Sequence, residues 1–298
     1  MRRAVRDFRP HLVHVNGELW SVTVQELLGI GVPVIPHGAE NLWKHGGPLE
    51  QVARASLVRR AVRRSAGYMS WNHAGVDYVK SLARPNFPTC VMPAIIPPQD
   101  FRDSPWVARP GTGDCALEIL LVGRLVPLKG FDTVIRAAAL LNTDRIRLTV
   151  CGDGPAQKHL VGLAQTLGVR LDVRGQVSPA DLARLMSRSS CLVQPSVSTP
   201  DLVEQFGRSV AEAMTVGLPC IVSDSGELPM VVGQDKEAIF PEGDHVALAE
   251  ILRGALEKPQ RLVDLSHRQR LLASAYTPAR GARTVTDFWA QAVESSRS

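Results

Sequence analysis

What most constrains this chain is a pattern repeated along its second half, in which a short unbroken apolar run ends in Gly or Ser and a longer helical stretch follows. The apolar runs are EILLVGRL (118–125), IRLTVCGDG (146–154), VRLDVRG (169–175), CLVQPS (191–196) and PCIVSDSG (219–226). FDTVIRAAALL, AQKHLVGLAQTLG, PADLARLMSRS and the segment around EQFGRSVAEAM fill the intervals. A strand that is apolar throughout is buried on both faces, and strands alternating with helices need long crossovers. The pattern therefore predicts an α/β architecture, a doubly wound parallel sheet covered by helices on both sides. Ligands of such sheets sit outside the carboxyl ends of the strands, so the polar residues just after each apolar run are the ones to question.

The first part of the chain repeats the alternation less cleanly. Strands are predicted at 12–15, 33–36, 67–71 and 89–93, and helices over 21–29, 48–64 and 73–82. FRDSPWVARPGTGDCA (101–116) then loses periodicity and gathers Pro, Gly and Asp, as a linker does. The expected organisation is a domain over 1–104, a linker over 105–117, a second domain over 118–278 and a final segment over 279–298. In that last segment Val285, Phe288, Trp289, Ala292 and Val293 fall at helical spacing, so it is expected to pack back towards the N-terminal domain.

With 298 residues, two domains are also what length suggests. The net charge of +5 does not point to nucleic acid, because Lys and Arg are spread along the chain and aromatics make up only 5%, too few for base-stacking platforms. It suits anionic small molecules or lipid headgroups. RASLVRRAVRRS (54–65) is the one local concentration, read either as a solvated helix edge or as a peripheral membrane contact. Cysteines at 90, 115, 151, 191 and 220 form no metal-ligand spacing and read as buried thiols of a reducing compartment. The Arg-rich start lacks an apolar core, and no window approaches the roughly 18 apolar residues of a membrane span. The expectation is a cytoplasmic protein, at most peripheral at the inner face of a membrane.

Three strand ends carry candidate chemistry. VGRLVPLKG places Arg124 and Lys129 in one loop, where two cations can grip a diphosphate. CGDGP allows a tight turn but is not a dinucleotide fingerprint, and no ribose-binding acid follows at the right distance, which argues against a dehydrogenase. EQFGRSVAEAM sets Glu204 and Glu212 eight positions apart. A wholly helical segment would make them a solvated face. A helix starting near Gly207 would instead leave Glu204 in the loop and Glu212 on the helix, with a helix N-terminus suited to phosphate and carboxylates suited to sugar hydroxyls. SDSGELP offers the backbone N–H groups of Ser225 and Gly226 to an anion.

Taken in order, GRLVPLKG, CGDGP, QPS, EQFGRSVAEAMTVGLPCIVSDSGELP and FPEGD resemble the donor domain of the retaining glycosyltransferases of family 4, which have the GT-B fold of two Rossmann-like domains. The resemblance runs through about residues 118–258. It implies that Arg124 and Lys129 neutralise the donor diphosphate, that Glu204 touches the donor sugar and that Glu212 holds the nucleotide ribose. Phe206, Gly207 and Arg208 would line the diphosphate and sugar side, and Ser225 and Gly226 stand where the family often has a Gly-rich turn. Met230 departs from the family, which commonly has Glu there. The first hundred or so residues resemble the second part of the family's acceptor domain. There HGAENLW (37–43) makes His37 the candidate that reaches the transferred sugar, with Glu40 and Asn41 as competitors, while His11, His14, His45 and His73 read as structural or exposed. PAIIPPQDF (93–101) is a divergent nucleotide-side loop. The family's acceptor domain begins with a strand, a Gly-rich loop and a helix that this sequence lacks, so the N-terminal domain is expected to be incomplete.

The implied function is transfer of a sugar, with retention, from a nucleoside diphosphate sugar to a hydroxyl of a glycan or lipid-linked acceptor, in polysaccharide or glycolipid assembly. No metal cofactor is expected, since no Asp-x-Asp element occurs. Two alternatives are a nucleotide-sugar epimerase of the same fold and a non-catalytic protein that binds nucleotide sugar.

Overall fold

The computed structural model describes residues 2–39, 47–92, 94–96, 106, 116–199 and 202–297. Most of the expected linker, Cys115, and both Glu40 and Asn41 lie outside these residues. The chain divides into two compact units, one made of Met1–Ala94, Pro200–Gln205 and Ala279–Ser298, the other of Ile95–Thr199 and Phe206–Pro278. The first unit begins with α1 (Arg2–Phe8), β1 (Val13–Asn16), α2 (Val22–Leu27), β2 (Val34–Gly38), α3 (Pro48–Arg64), β3 (Tyr68–Ser70), α4 (His73–Leu82) and β4 (Thr89–Val91). The second holds β5 (Leu117–Val122), α5 (Phe131–Leu140), β6 (Ile146–Cys151), α6 (Gln157–Thr166), β7 (Arg170–Val173), α7 (Pro179–Arg188) and β8 (Cys191–Gln194). It continues with α8 (Arg208–Val216), β9 (Cys220–Ser223), α9 (Leu228–Val231), β10 (Ile239–Phe240), α10 (His245–Glu257) and α11 (Gln260–Ala273). The last helix, α12 (Pro278–Arg297), returns to the first unit.

The first unit's sheet has the order β1-β2-β3-β4, all parallel. Every crossover steps the same way, and right-handed crossovers then put their helices on one face. Alternation along the strands separates the two faces. Val34 and Tyr68 join Val24, Leu27, Val58, Ala61, Val62 and Val79 of α2, α3 and α4 in one core. Their strand neighbours Ile35 and Met69 point the other way and pack on Phe288 and Ala292 of α12. The final helix thus covers the face that the crossovers leave bare.

The second unit's sheet has the order β10-β9-β8-β5-β6-β7, again all parallel, with the winding direction reversing between β5 and β8. That order is the doubly wound one expected from the sequence. Its strands are buried along their length, as in Ile119, Leu120, Leu121, Leu192, Val193, Ile221 and Val222. Ser178 caps α7 by accepting from Asp181 N, and Gly217, at φ +94°, ends α8. Cys151, Cys191 and Cys220 are buried thiols, whereas Cys90 is half-buried.

One buried side chain completes the sheet. Gln269 of α11 accepts from the Cys220 backbone N–H at 2.8 Å and donates to the Cys220 carbonyl at 2.8 Å, standing in for a neighbouring strand where β9 begins. Replacing Gln269 by Ala leaves both backbone groups buried and unpaired, so unfolding by denaturant should show a loss of about 2–4 kcal/mol, at one to two per orphaned group. A loss below about 0.5 kcal/mol would show that water satisfies Cys220 instead.

Candidate functional site

The loops over the β5/β8 reversal are packed backbone against backbone. A Cβ on Gly130 (φ +60°) would lie 2.1 Å from the Pro195 carbonyl oxygen, one on Gly152 (φ +145°) 1.8 Å from that of Gly123, and one on Gly154 (φ +157°) 2.4 Å from that of Leu125. Only glycine satisfies both the backbone angles and the space. Val197 N–H donates to Leu128 O at 2.9 Å, tying the loop after β8 to the loop after β5. On this platform Arg124 is exposed, and Lys129 ends a short 3-10 turn with its stem beside Gly123.

α8 starts where the sequence placed it. Gly207, at φ +86° and ψ +57°, precedes the first turn, and a Cβ there would meet Leu228 at 2.5 Å. Glu204 is accordingly outside the helix, in a segment without regular secondary structure that groups with the first unit, and Glu212 lies about a turn and a half into α8. Glu212 is buried and accepts from Arg208 Nε at 2.9 Å, while the Arg208 side chain is 67% exposed. Phe206 is buried, its ring edge against Tyr276 with centroids 5.4 Å apart, so it anchors the motif rather than lining a cavity. Burial pushes the Tyr276 hydroxyl up to about 12, and that hydroxyl donates to Val231 O at 3.2 Å.

Beneath the motif lies a polar network that sequence reasoning missed. Ser209 Oγ donates to Gln194 Oε1 at 3.1 Å, and Gln194 Nε2 donates to Ser196 Oγ at 2.9 Å. Ser223 Oγ donates to the Ser196 carbonyl at 2.5 Å. Gln194, Ser196 and Ser223 are fully buried. A satisfied polar cluster in a low-dielectric interior fixes its members' orientation, and it joins the first turn of α8 to the ends of β8 and β9. The legible signal was Gln194 itself, an amide closing an otherwise apolar strand. Ser225 is also fully buried, while Gly226, at φ +54°, is exposed. Met230 is partly exposed, and its sulfur accepts from Gln234 Nε2.

In the first unit, His37 lies near the carboxyl end of β2 and is 5% exposed. Its ring stacks on Trp71 with centroids 3.9 Å apart, and its Nδ1 is 3.3 Å from His14 Nε2. Trp289 of α12 meets His14 edge-on at 5.6 Å. Glu18, after β1, accepts from Ala39 N at 3.3 Å, and Asn72, after β3, both caps α4 and donates to Gln205 Oε1 at 3.4 Å. Burial, with the His14 charge adding to it, lowers His37 to about 4. Burial lowers His14 as well. The imidazole of His37 is therefore neutral at ordinary pH, and its buried Nε2 has no hydrogen-bond partner among the described residues.

A family model described as "Glycosyl transferases group 1" matches residues 110–272, more than half of the chain. The chain belongs to this family. Among curated members it is 32% identical over 210 residues to the D-inositol 3-phosphate glycosyltransferase of Streptomyces coelicolor, an alignment covering 64% of this chain and 44% of that protein. It is 30% identical over 199 residues to D-inositol 3-phosphate glycosyltransferase 2 of Catenulispora acidiphila, covering 61% of this chain and 45% of that one. The chain thus spans about half the length of the curated relatives it matches. Among solved structures, sucrose-phosphate synthase from Thermosynechococcus elongatus superposes with a TM-score of 0.74 at 20% identity, covering 97% of this chain and 75% of that one. Anabaena Alr3699/HepE in complex with UDP does so with a TM-score of 0.74 at 18% identity, covering 97% and 80%. The fold is GT-B, with two Rossmann-like domains.

The His37 environment makes a pH prediction. The unfolded imidazole titrates near 6.5 and the folded one near 4, so between those values the unfolded state binds more protons and stability falls with acidification. The His37 contribution approaches a loss of about 3 kcal/mol by pH 4, with His14 acting in the same direction. Denaturant unfolding at pH 7 and near pH 4.5 should give a larger acid loss in the parent than in His37→Gln. Equal losses would mean that His37 is protonated in the folded protein.

Proposed function

We propose that the protein is a retaining glycosyltransferase of family 4 that moves a sugar from a nucleoside diphosphate sugar to an acceptor hydroxyl in polysaccharide or glycolipid assembly. The observation that carries this is the arrangement at the β5/β8 reversal. Buried Glu212 of α8 lies beside Arg208, next to a helix N-terminus held by the Gln194–Ser196–Ser223 network, on a sheet whose neighbouring loop bears Arg124 and Lys129. A carboxylate held in place accepts from a ribose diol, and two cations with a helix N-terminus oppose the charge of a diphosphate. The names of the inositol phosphate glycosyltransferase relatives, and a structural neighbour bound to UDP, support the reading.

In this reading the glycosidic C–O bond to phosphate lengthens and charge accumulates on the departing diphosphate. Arg124, Lys129, Arg208 and the start of α8 stabilise that charge more than they stabilise the ground state. The acceptor oxygen forms its bond to the anomeric carbon on the face the diphosphate leaves, and the acceptor proton passes to the departing phosphate oxygen. Glu204 holds donor sugar hydroxyls, Glu212 the ribose, and Ser225 and Gly226 the diphosphate side through backbone N–H groups. His37, a neutral imidazole, is assigned to the transferred sugar, where it orients a hydroxyl without adding charge. No divalent ion is required, since cations and the helix end meet the leaving-group charge. Nucleic acid has no part in the function.

The acceptor is a glycan or lipid-linked sugar. Among the described residues no helix is long and apolar enough to cross a membrane, and Arg59, Arg60, Arg63 and Arg64 stand exposed on α3 opposite its buried Val58, Ala61 and Val62. This face serves as a peripheral contact with an anionic surface on the cytoplasmic side.

Thermal unfolding with UDP, GDP, ADP and dTDP tests the donor reading. A nucleotide at a hundred times its dissociation constant should stabilise the protein by about 2.7 kcal/mol. One of the four should raise the parent midpoint and lose that effect in Glu212→Ala. A parent insensitive to all four overturns the donor assignment.

A further inference from the structure

We infer that Glu242 is a positioning residue for the donor site, acting through Ser198 on the Ser225–Gly226 turn. The inference rests on the glycosyltransferase reading, and its geometry lies wholly within the second unit.

β8, β9 and β10 are neighbours in the sheet, so the loops that leave their carboxyl ends lie side by side. Glu242, in the loop after β10, joins all three. Its Oε2 accepts from the Ser198 backbone N–H at 2.5 Å and its Oε1 from the Ser198 hydroxyl at 2.5 Å. Its own N–H donates to Asp224 Oδ1 at 2.8 Å, and Asp224 N–H donates to Phe240 O at 2.9 Å. Ser198 Oγ lies 3.2 Å from Ser225 Oγ.

A hydroxyl has a single hydrogen, which fixes the direction of this chain. The Ser198 hydrogen goes to the carboxylate, because a charge-assisted bond at 2.5 Å outcompetes a neutral one at 3.2 Å. Ser198 Oγ can then only accept from Ser225, so the order runs Ser225 to Ser198 to Glu242. The Ser225 hydroxyl is thereby committed inward, in keeping with a side chain that is fully buried. The turn is left to offer its backbone. The N–H groups of Ser225 and Gly226 donate to no acceptor among the described residues, and Gly226 is exposed.

Two features separate this from an ordinary loop staple. A carboxylate beside a site for an anionic ligand is unfavourable unless its charge is engaged, and here both oxygens are bound by one serine. The same serine is where β8's loop departs towards Glu204 and α8, so one side chain sets the exit of the loop as well as the turn. Glu242 sits in the FPEGD element, which the sequence singled out without a role for its Glu.

Hydrogen exchange and nucleotide binding in the parent, Glu242→Gln, Glu242→Ala and Ser198→Ala test the inference. Glutamine keeps one acceptor oxygen but cannot accept at its amide nitrogen, so it should be intermediate. Exchange of the 224–228 amides should speed up about tenfold in Glu242→Ala and less in Glu242→Gln, while the core strand amides of β5 and β6 stay protected. In the same proteins the dissociation constant of UDP-glucose should rise about tenfold in Glu242→Ala and by less in Glu242→Gln, with Glu250→Ala, far along α10, unchanged. Unchanged exchange at 224–228 in both Glu242 variants overturns the clamp whatever nucleotide the protein prefers. Faster exchange with unchanged UDP-glucose affinity overturns its role in the site. A parent that binds none of UDP, GDP, ADP and dTDP fails the donor reading, and the exchange arm still decides the clamp. Should Glu242→Ala not fold, Glu242→Gln and Ser198→Ala carry both measurements.

Discussion

The second unit depends on backbone touching backbone above the point where its sheet reverses. At Gly123, Leu125 and Pro195 a carbonyl oxygen occupies the space where the partner residue would otherwise carry a Cβ. This close approach brings the cationic loop after β5 within reach of the loop after β8, and Val197 N–H then locks the two together. Side chains cannot substitute for that contact, because any Cβ at Gly130, Gly152 or Gly154 would meet a carbonyl well inside van der Waals distance while holding φ in a region unfavourable to L-residues. The glycines are therefore architectural before they are functional. What they build is a closely packed rim that carries the exposed Arg124.

On that rim the order of events runs from buried to exposed. Gln194 and Ser196 continue β8 with polar side chains that never see water, and they orient Ser209 on α8 and the hydroxyl of Ser223 on β9. A network of this kind is unfavourable unless complete, since each buried group left without a partner costs about 1–3 kcal/mol. Its completeness fixes the entry of α8 and hence the height of Glu212. The first unit solves a different problem. Its crossovers all turn one way and cover one face, so the opposite face of β2 and β3 depends on Phe288 and Ala292 arriving from the far end of the chain.

Periodicity made α3 and α4 legible to the residue, and unbroken apolar runs located all four strands of the first sheet and five of the six in the second. β10 escaped because two residues carry no period, and α1 because its Arg-rich face hides a single buried-side contact through Val5. α10 has a readable start in Asp244, which accepts from Val246 N and Ala247 N as an N-cap, a signal that strand–helix alternation does not carry. Candidate site residues divide the same way. Gly207, Arg208 and Glu212 are local, so a motif finds them. Gln269 against Cys220 and Glu242 against Ser198 are separated by 49 and 44 positions, and no window can see such pairs. His14 carries no signal beyond a structural or exposed histidine in the sequence, and the structure places it in ring contact with the neutral His37, a pairing set by the register of β1 on β2.

Arg208 shows how a broken local rule points to function. A cation in the first turn opposes the helix dipole, and an Arg-to-Glu pair four residues on has the less favourable of the two orientations, worth about half a kcal/mol at most on an exposed face. Stability does not explain its presence, because its side chain is two-thirds exposed and gains little from the pair. What the pair does is fix a guanidinium on the first turn of α8, with Nε committed to Glu212 and its other N–H groups outside that bond. Positive charge gathered there favours an anion over a cation, and the glutamate that fixes it is the one that the proposed function assigns to a ribose. In the proposed glycosyltransferase a ligand carrying both a diol and a diphosphate would relieve this unfavourable arrangement at the start of α8, whereas a solvated helix face gives no reason to retain it.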